Sequence, residues 1–102
     1  MIEKAKKYLL EHNVLWINPE EQNDFQSVDY FYTTNFWLVC SLERSKIYAF
    51  MNSLGTFQSI FAYTAGDTNY YSIRIDNKLI GLLTCKIGST KSQLSLYKEP
   101  YG

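Results

Sequence analysis

One histidine, His12, and two cysteines, Cys40 and Cys85, are the side chains of this chain best suited to nucleophilic or soft-metal chemistry. A single histidine cannot build a multi-histidine metal site. Its neighbour Glu11 lies on a different helical face, so no acid in the local sequence orients the ring. Cys40 and Cys85 lie far apart, without a Cys-x-x-Cys spacing, and each falls in a strand-like segment where a buried thiol is the ordinary outcome. A disulfide between them is left open, since it needs the fold to bring the two within reach. A Cys–His pair would likewise have to be assembled by the fold. The acids Glu20, Glu21, Asp24 and Asp29 lack the alternating spacing of a calcium loop. Gly88-Ser89-Thr90-Lys91-Ser92 has neither the glycine spacing nor the Gly-Lys-Ser/Thr order of a phosphate-binding loop, and it joins strands instead of opening a helix. Arg74 to Gly81 reads as a hairpin, with no glycine-rich segment beside it to cradle a coenzyme pyrophosphate. The expectation is a protein that is not an enzyme and uses no metal or cofactor.

The aromatic side chains carry the remaining chemistry. Nine Tyr, six Phe and two Trp make up 17% of 102 residues, more than one small core hides, and a surplus of exposed rings marks a contact surface. Trp37, Tyr48, Tyr70 and Tyr71 are the candidate protein-binding anchors. The alternative is a nucleic-acid-binding accessory protein, with Tyr70 and Tyr71 stacking on bases while Arg74, Lys78, Lys86 and Lys91 neutralise phosphates. Formal net charge is zero, which disfavours that alternative. The charge is unevenly spread, residues 1–51 carrying a net −2 and residues 52–102 a net +2.

The elements that must position these groups follow from hydrophobic periodicity. Residues 2–12 have helical spacing, with Asn13 a left-handed terminator. Val14 to Ile17 is a short strand or docking segment, and 19–29 a polar, acidic surface loop. From Tyr30 the sequence turns to β. Phe36–Leu42 and Lys46–Met51 read as a hairpin, and Phe57–Thr64 fits a short helix slightly better than a strand. Tyr70–Ile75 and Leu79–Ile87 form a second hairpin across Asp76-Asn77-Lys78, whose residue types tolerate positive φ. Gln93–Tyr97 is a last strand, ended by Pro100.

The two predicted hairpins resemble each other. Thr34-Asn35-Phe36-Trp37 aligns with Thr68-Asn69-Tyr70-Tyr71, Ser45 to Phe50 with Asn77 to Leu82, and Leu54-Gly55-Thr56 with Ile87-Gly88-Ser89. The expected fold is therefore α+β: one domain over 1–102, with two helix-plus-hairpin motifs, about 1–56 and 57–102, related by an approximate two-fold axis. A single such motif cannot bury its apolar face alone, and pairing two leaves a seam. The expected function is a non-catalytic protein–protein interaction module, binding a protein or extended peptide at that groove or at an exposed strand edge beside it. The expected oligomeric state is monomer or weak homodimer.

The amino-terminal segment is charged and helical in period, without the apolar run of a signal peptide, and no segment reaches the ~20 apolar residues of a membrane span. A cytoplasmic protein with no membrane partner is expected. In length and Tyr/Ile/Asn/Lys-rich texture the whole chain resembles orphan small proteins of filamentous viruses of hyperthermophilic archaea. That resemblance brings no site residues; it implies a host-cell location and a host- or virion-binding accessory role.

Overall fold

The computed structural model describes residues 1–19 and 35–101. The chain runs α1 (Ile2–Glu11), β1 (Phe36–Glu43), α2 (Arg44–Leu54), β2 (Phe57–Ala65), β3 (Thr68–Ile75), β4 (Lys78–Lys86) and β5 (Lys91–Tyr101), an α+β fold. The strands form one antiparallel sheet in the order β1-β5-β4-β3-β2. Apart from Pro19 and the strand residues from 36 on, the expected acidic loop and the onset of β structure at Tyr30 lie outside the described residues. No helix among the described residues is long and apolar enough to cross a membrane.

Residues 44–54 are helical, where Lys46–Met51 was expected to be a return strand. The reason is a 3.6-residue period: Ile47, Phe50, Met51 and Leu54 fall at i, i+3, i+4 and i+7, and all four are buried. Read as a strand, residues 46–51 would leave Phe50 and Met51 on opposite faces and Leu54 unused. The helix also solves a connection problem. β1 and β2 occupy opposite edges of the sheet, about 19 Å apart at ordinary strand spacing. Eleven helical residues rise about 16 Å, enough to carry the chain across the sheet face with a residue or two at each end.

Residues 57–65 are a strand, not the expected short helix. Phe57, Ser59 and Phe61 face Ile75, Ile73 and Tyr71 of β3 in turn, so their alternation prevails over the helical spacing of Phe57, Ile60, Phe61 and Thr64. The hairpin at Asp76-Asn77 forms as expected, with φ of 51° and 67°. Asn13 likewise terminates α1 at φ 54°. Pro100 does not end the last strand. β5 continues to Tyr101, through an irregular stretch between the pairs Gly81–Leu96 and Leu79–Tyr101 that accommodates a residue without an N–H.

No two-fold repeat is evident. Lys46 to Phe50 lie on α2, while the residues aligned with them, Lys78 to Leu82, lie on β4. β1 pairs with β5 and not with a return strand of its own.

Both helices pack on one face of the sheet. Side chains directly opposite each other share a face, and the rows Leu38–Leu96–Gly81–Ile73 and Cys40–Leu94–Leu83 define the covered one. Apart from Gly81, these residues form one buried cluster with Ala5 and Leu9 of α1 and the four of α2. The Tyr8 ring stacks on Phe50 at 4.9 Å, joining the two helices. The Lys4 ammonium reaches the carbonyl of Leu54 at the carboxyl end of α2, where the helix dipole favours a cation.

Gly81 sits directly opposite Leu96 of β5, beside the irregularity in the β4–β5 ladder. A Cβ there would collide with the backbone oxygen of Ser95 and stand 2.8 Å from Leu96 Cδ2. Gly81→Ala is therefore expected to cost about 3 kcal/mol, because a backbone atom cannot step aside as a side chain can. Urea denaturation of the two proteins measures it.

Candidate functional site

The residues with catalytic potential are dispersed or enclosed. His12, exposed at the end of α1, stacks on Tyr8 at 3.8 Å and donates from Nδ1 to the Tyr8 carbonyl oxygen at 2.9 Å. Cys40 and Cys85 are buried free thiols. They lie on β1 and β4, with β5 between them, so two strand spacings, about 10 Å, separate their backbones. That exceeds the reach of a disulfide. The Ser92 hydroxyl donates to Cys85 Sγ at 3.1 Å. Burial pushes the Cys40 thiol up from 9.0 to about 12, opposite to what a nucleophile needs. No group of three His, Cys, Asp or Glu among the described residues could hold a metal ion.

The basic residues proposed for nucleic acid do not form a stripe. Arg74 donates to the Asn77 carbonyl at 3.1 Å at one end of the β3–β4 hairpin. Lys86, opposite Thr68 at the other end, lies 3.9 Å from an Asp67 carboxylate oxygen. Six residues of strand, about 20 Å, separate the two ends.

The four candidate anchors divide among three environments. Trp37 is 5% exposed, set edge-on against Trp16 at 5.5 Å with the Lys6 ammonium over its ring. It is a core residue, because α1 and the segment after it close over the position where β1 bulges between Phe36 and Leu38. Tyr48 is 37% exposed on α2, its ring 5.4 Å from that of Phe57. Tyr70 and Tyr71, adjacent on β3, point to opposite faces: Tyr71 meets Phe61 edge-on on the helix side, and Tyr70 stacks on Tyr63 at 4.5 Å on the other.

Three of the four thus converge on one feature, the β2 edge. Among the described residues β2 pairs only with β3, so alternate residues direct their N–H and C=O groups outward without a strand partner. Ile60, Phe61 and Tyr63 are each about half exposed along it. From Ile47 to Gly66 the sequence holds no charged residue, so none of the lysines, acids or prolines that blunt an edge is present. A bulge between Phe61 and Tyr63 interrupts the ladder and leaves Phe57–Phe61 as its straight part. The opposite edge of the sheet is treated differently. There Ile17 exchanges two backbone hydrogen bonds with Val39 of β1, at 2.9 and 2.8 Å.

Sequence periodicity does not single out Phe57, Ile60, Phe61 and Tyr63, because the helical spacing of Phe57, Ile60, Phe61 and Thr64 masks their strand. The signals available were the uncharged stretch 47–66 and the alternation of Phe57, Ser59 and Phe61.

The boundary between residues 1–56 and 57–102 is closed along most of its length by the β1–β5 ladder. Beside it, an open hollow lies at the start of α1, lined by Ile2, Glu3, Ile75, Asp76, Lys78 and Lys98. None of Tyr48, Tyr70 or Tyr71 reaches it. No family model, curated protein or solved structure matches this chain. The geometry of the edge therefore carries the functional argument by itself.

The raised Cys40 value has a consequence for stability. Between about pH 9 and 12 the unfolded chain gives up this proton while the folded chain keeps it, so folding is weakened as pH rises. Wild-type protein is expected to lose about 1 kcal/mol more than Cys40→Ala between about pH 8 and 10, by urea denaturation at each pH.

Proposed function

We propose that this protein is a non-catalytic protein–protein interaction module whose contact surface is the β2 edge. The observation that carries the reading is an uncharged edge strand bordered by rings on both faces: Tyr48, Phe57, Phe61 and Tyr71 on one, Tyr63 and Tyr70 on the other. An extended segment of a partner adds there as a further strand. Main-chain hydrogen bonds supply affinity, and the flanking aromatic side chains select alternate residues of the incoming strand. Exposed Tyr and Phe suit this role because they offer large contact area at low entropic cost. The open hollow beside α1, with its mixed charges, is less suited to a strand than an edge that already presents strand geometry.

Ile60 points away from the helices, so a charge there blunts the edge and leaves the core intact. Ile60→Lys is expected to retain wild-type circular dichroism and melting temperature while losing at least ten-fold in affinity for a protein captured from native cells. Trp37→Ala is expected to do the reverse, costing about 3–4 kcal/mol of stability through the cavity it leaves. Undiminished capture by Ile60→Lys would refute the edge. A complex with single-stranded nucleic acid whose affinity falls steeply with salt, tracking Arg74, Lys78, Lys86 and Lys91, would establish the alternative.

A further inference from the structure

We infer that the strand added to β2 is β2 of a second copy, giving an antiparallel two-fold homodimer centred on Ser59. This rests on the reading of the β2 edge as the contact surface, and it names the partner. The first support is the sequence of the straight part of the edge. Phe57-Gln58-Ser59-Ile60-Phe61 reads Phe-x-Ser-x-Phe in both directions. Two strands related by a two-fold axis pair each residue with its mirror position, so an isologous contact requires a segment complementary to its own reverse. About Ser59, Phe57 falls opposite Phe61 of the second copy, Gln58 opposite Ile60, and Ser59 opposite Ser59.

The side chains fit that register. Phe57, Ser59 and Phe61 occupy the helix-covered face of β2, so each Phe57–Phe61 pair forms an aromatic cross-strand contact at about 5 Å. Tyr48 already lies against Phe57 and Tyr71 against Phe61. Each side of the axis then carries a row of four rings, Tyr48 and Phe57 from one copy and Phe61 and Tyr71 from the other. The small Ser59 pair at the centre keeps the two rows apart. On the opposite face Ile60 covers the stem of Gln58. The bulge at Phe61–Tyr63 falls just beyond the palindrome, so it ends the ladder without interrupting it.

Electrostatics permit self-association. A two-fold contact sets like residues near like, which is costly wherever the segment is charged. β2 has no charged residue, and the whole chain has a formal net charge of zero. An unrelated peptide would need none of this symmetry. The straight ladder is five residues long on each copy, so the contact is small and the association is expected to be reversible.

Sedimentation velocity of the full chain over about 1 μM to 1 mM is expected to show a reversible monomer–dimer equilibrium. Ile60→Lys should weaken it at least ten-fold with unchanged circular dichroism. Three cysteine variants then read the register, since the native thiols are buried. Under mild oxidation Ser59→Cys should crosslink to itself. Gln58→Cys should stay monomeric alone but crosslink when mixed with Ile60→Cys. A chain that stays monomeric throughout, a dimer indifferent to Ile60→Lys, or self-crosslinking by Gln58→Cys in place of Ser59→Cys overturns the proposal. Monomeric wild type that still loses a captured partner on Ile60→Lys would refute the dimer alone. Capture undiminished by Ile60→Lys would refute the edge itself.

Discussion

The whole architecture depends on α2 passing over the sheet. Because β1 and β2 stand at opposite edges, the chain must travel the full width of the sheet between them, and it does so as a helix whose apolar stripe is pressed onto the strands below. Ile47, Phe50, Met51 and Leu54 are buried together with Ile73, Ile75, Leu83, Leu94 and Leu96. The same cluster includes Leu38 and Cys40 of β1, so α2 ties the first strand to a meander formed entirely by later sequence. The pairing of β1 with β5 closes the sheet last in sequence terms, and contacts of such long range slow folding more than they weaken the folded state.

A second consequence concerns α1, which has only a short buried stripe, Ala5 and Leu9. Ten residues of helix are marginal alone in water. α1 is held by what α2 presents to it: the Phe50 ring stacked on Tyr8, and the Leu54 carbonyl within reach of Lys4. The segment after α1 then extends the same support to β1 through Trp16 on Trp37 and Ile17 on Val39.

Sequence periodicity disclosed α1, the β3–β4 hairpin with its Asp-Asn turn, and the strand character of β1 and β5, because each carries a local pattern that the tertiary environment reinforces. It misassigned the two central elements for one shared reason. Residues 46–51 alternate well enough to imitate a strand, and their helical period becomes plain only when Leu54 is included. Residues 57–64 are apolar on both faces, as an edge strand flanked by aromatics must be, and so offer helical and strand spacings at once. The apparent repeat rests in part on the first of these, since Ser45 to Phe50 align with Asn77 to Leu82 only if both are return strands. For the site, the tyrosine surplus points to Tyr48, Tyr70 and Tyr71, whose rings lie against Phe57, Tyr63 and Phe61 of β2. Trp37 could not be told from an exposed ring, since its burial comes from α1, distant in sequence. The edge itself was invisible to local reasoning, because strand order is a property of the assembled sheet.

The bridge between Ile17 and Val39 has an implication for the scale of any assembly. A sheet with two bare sides is a monomer unit for a fibre, since every addition exposes a new acceptor identical to the one just consumed. Here part of one side is already engaged by the chain's own backbone, Ile17 and Val39 exchanging two hydrogen bonds. The two edges are therefore unequal as acceptors: a strand arriving at β1 would have to displace that bridge, whereas among the described residues nothing of the kind stands along β2.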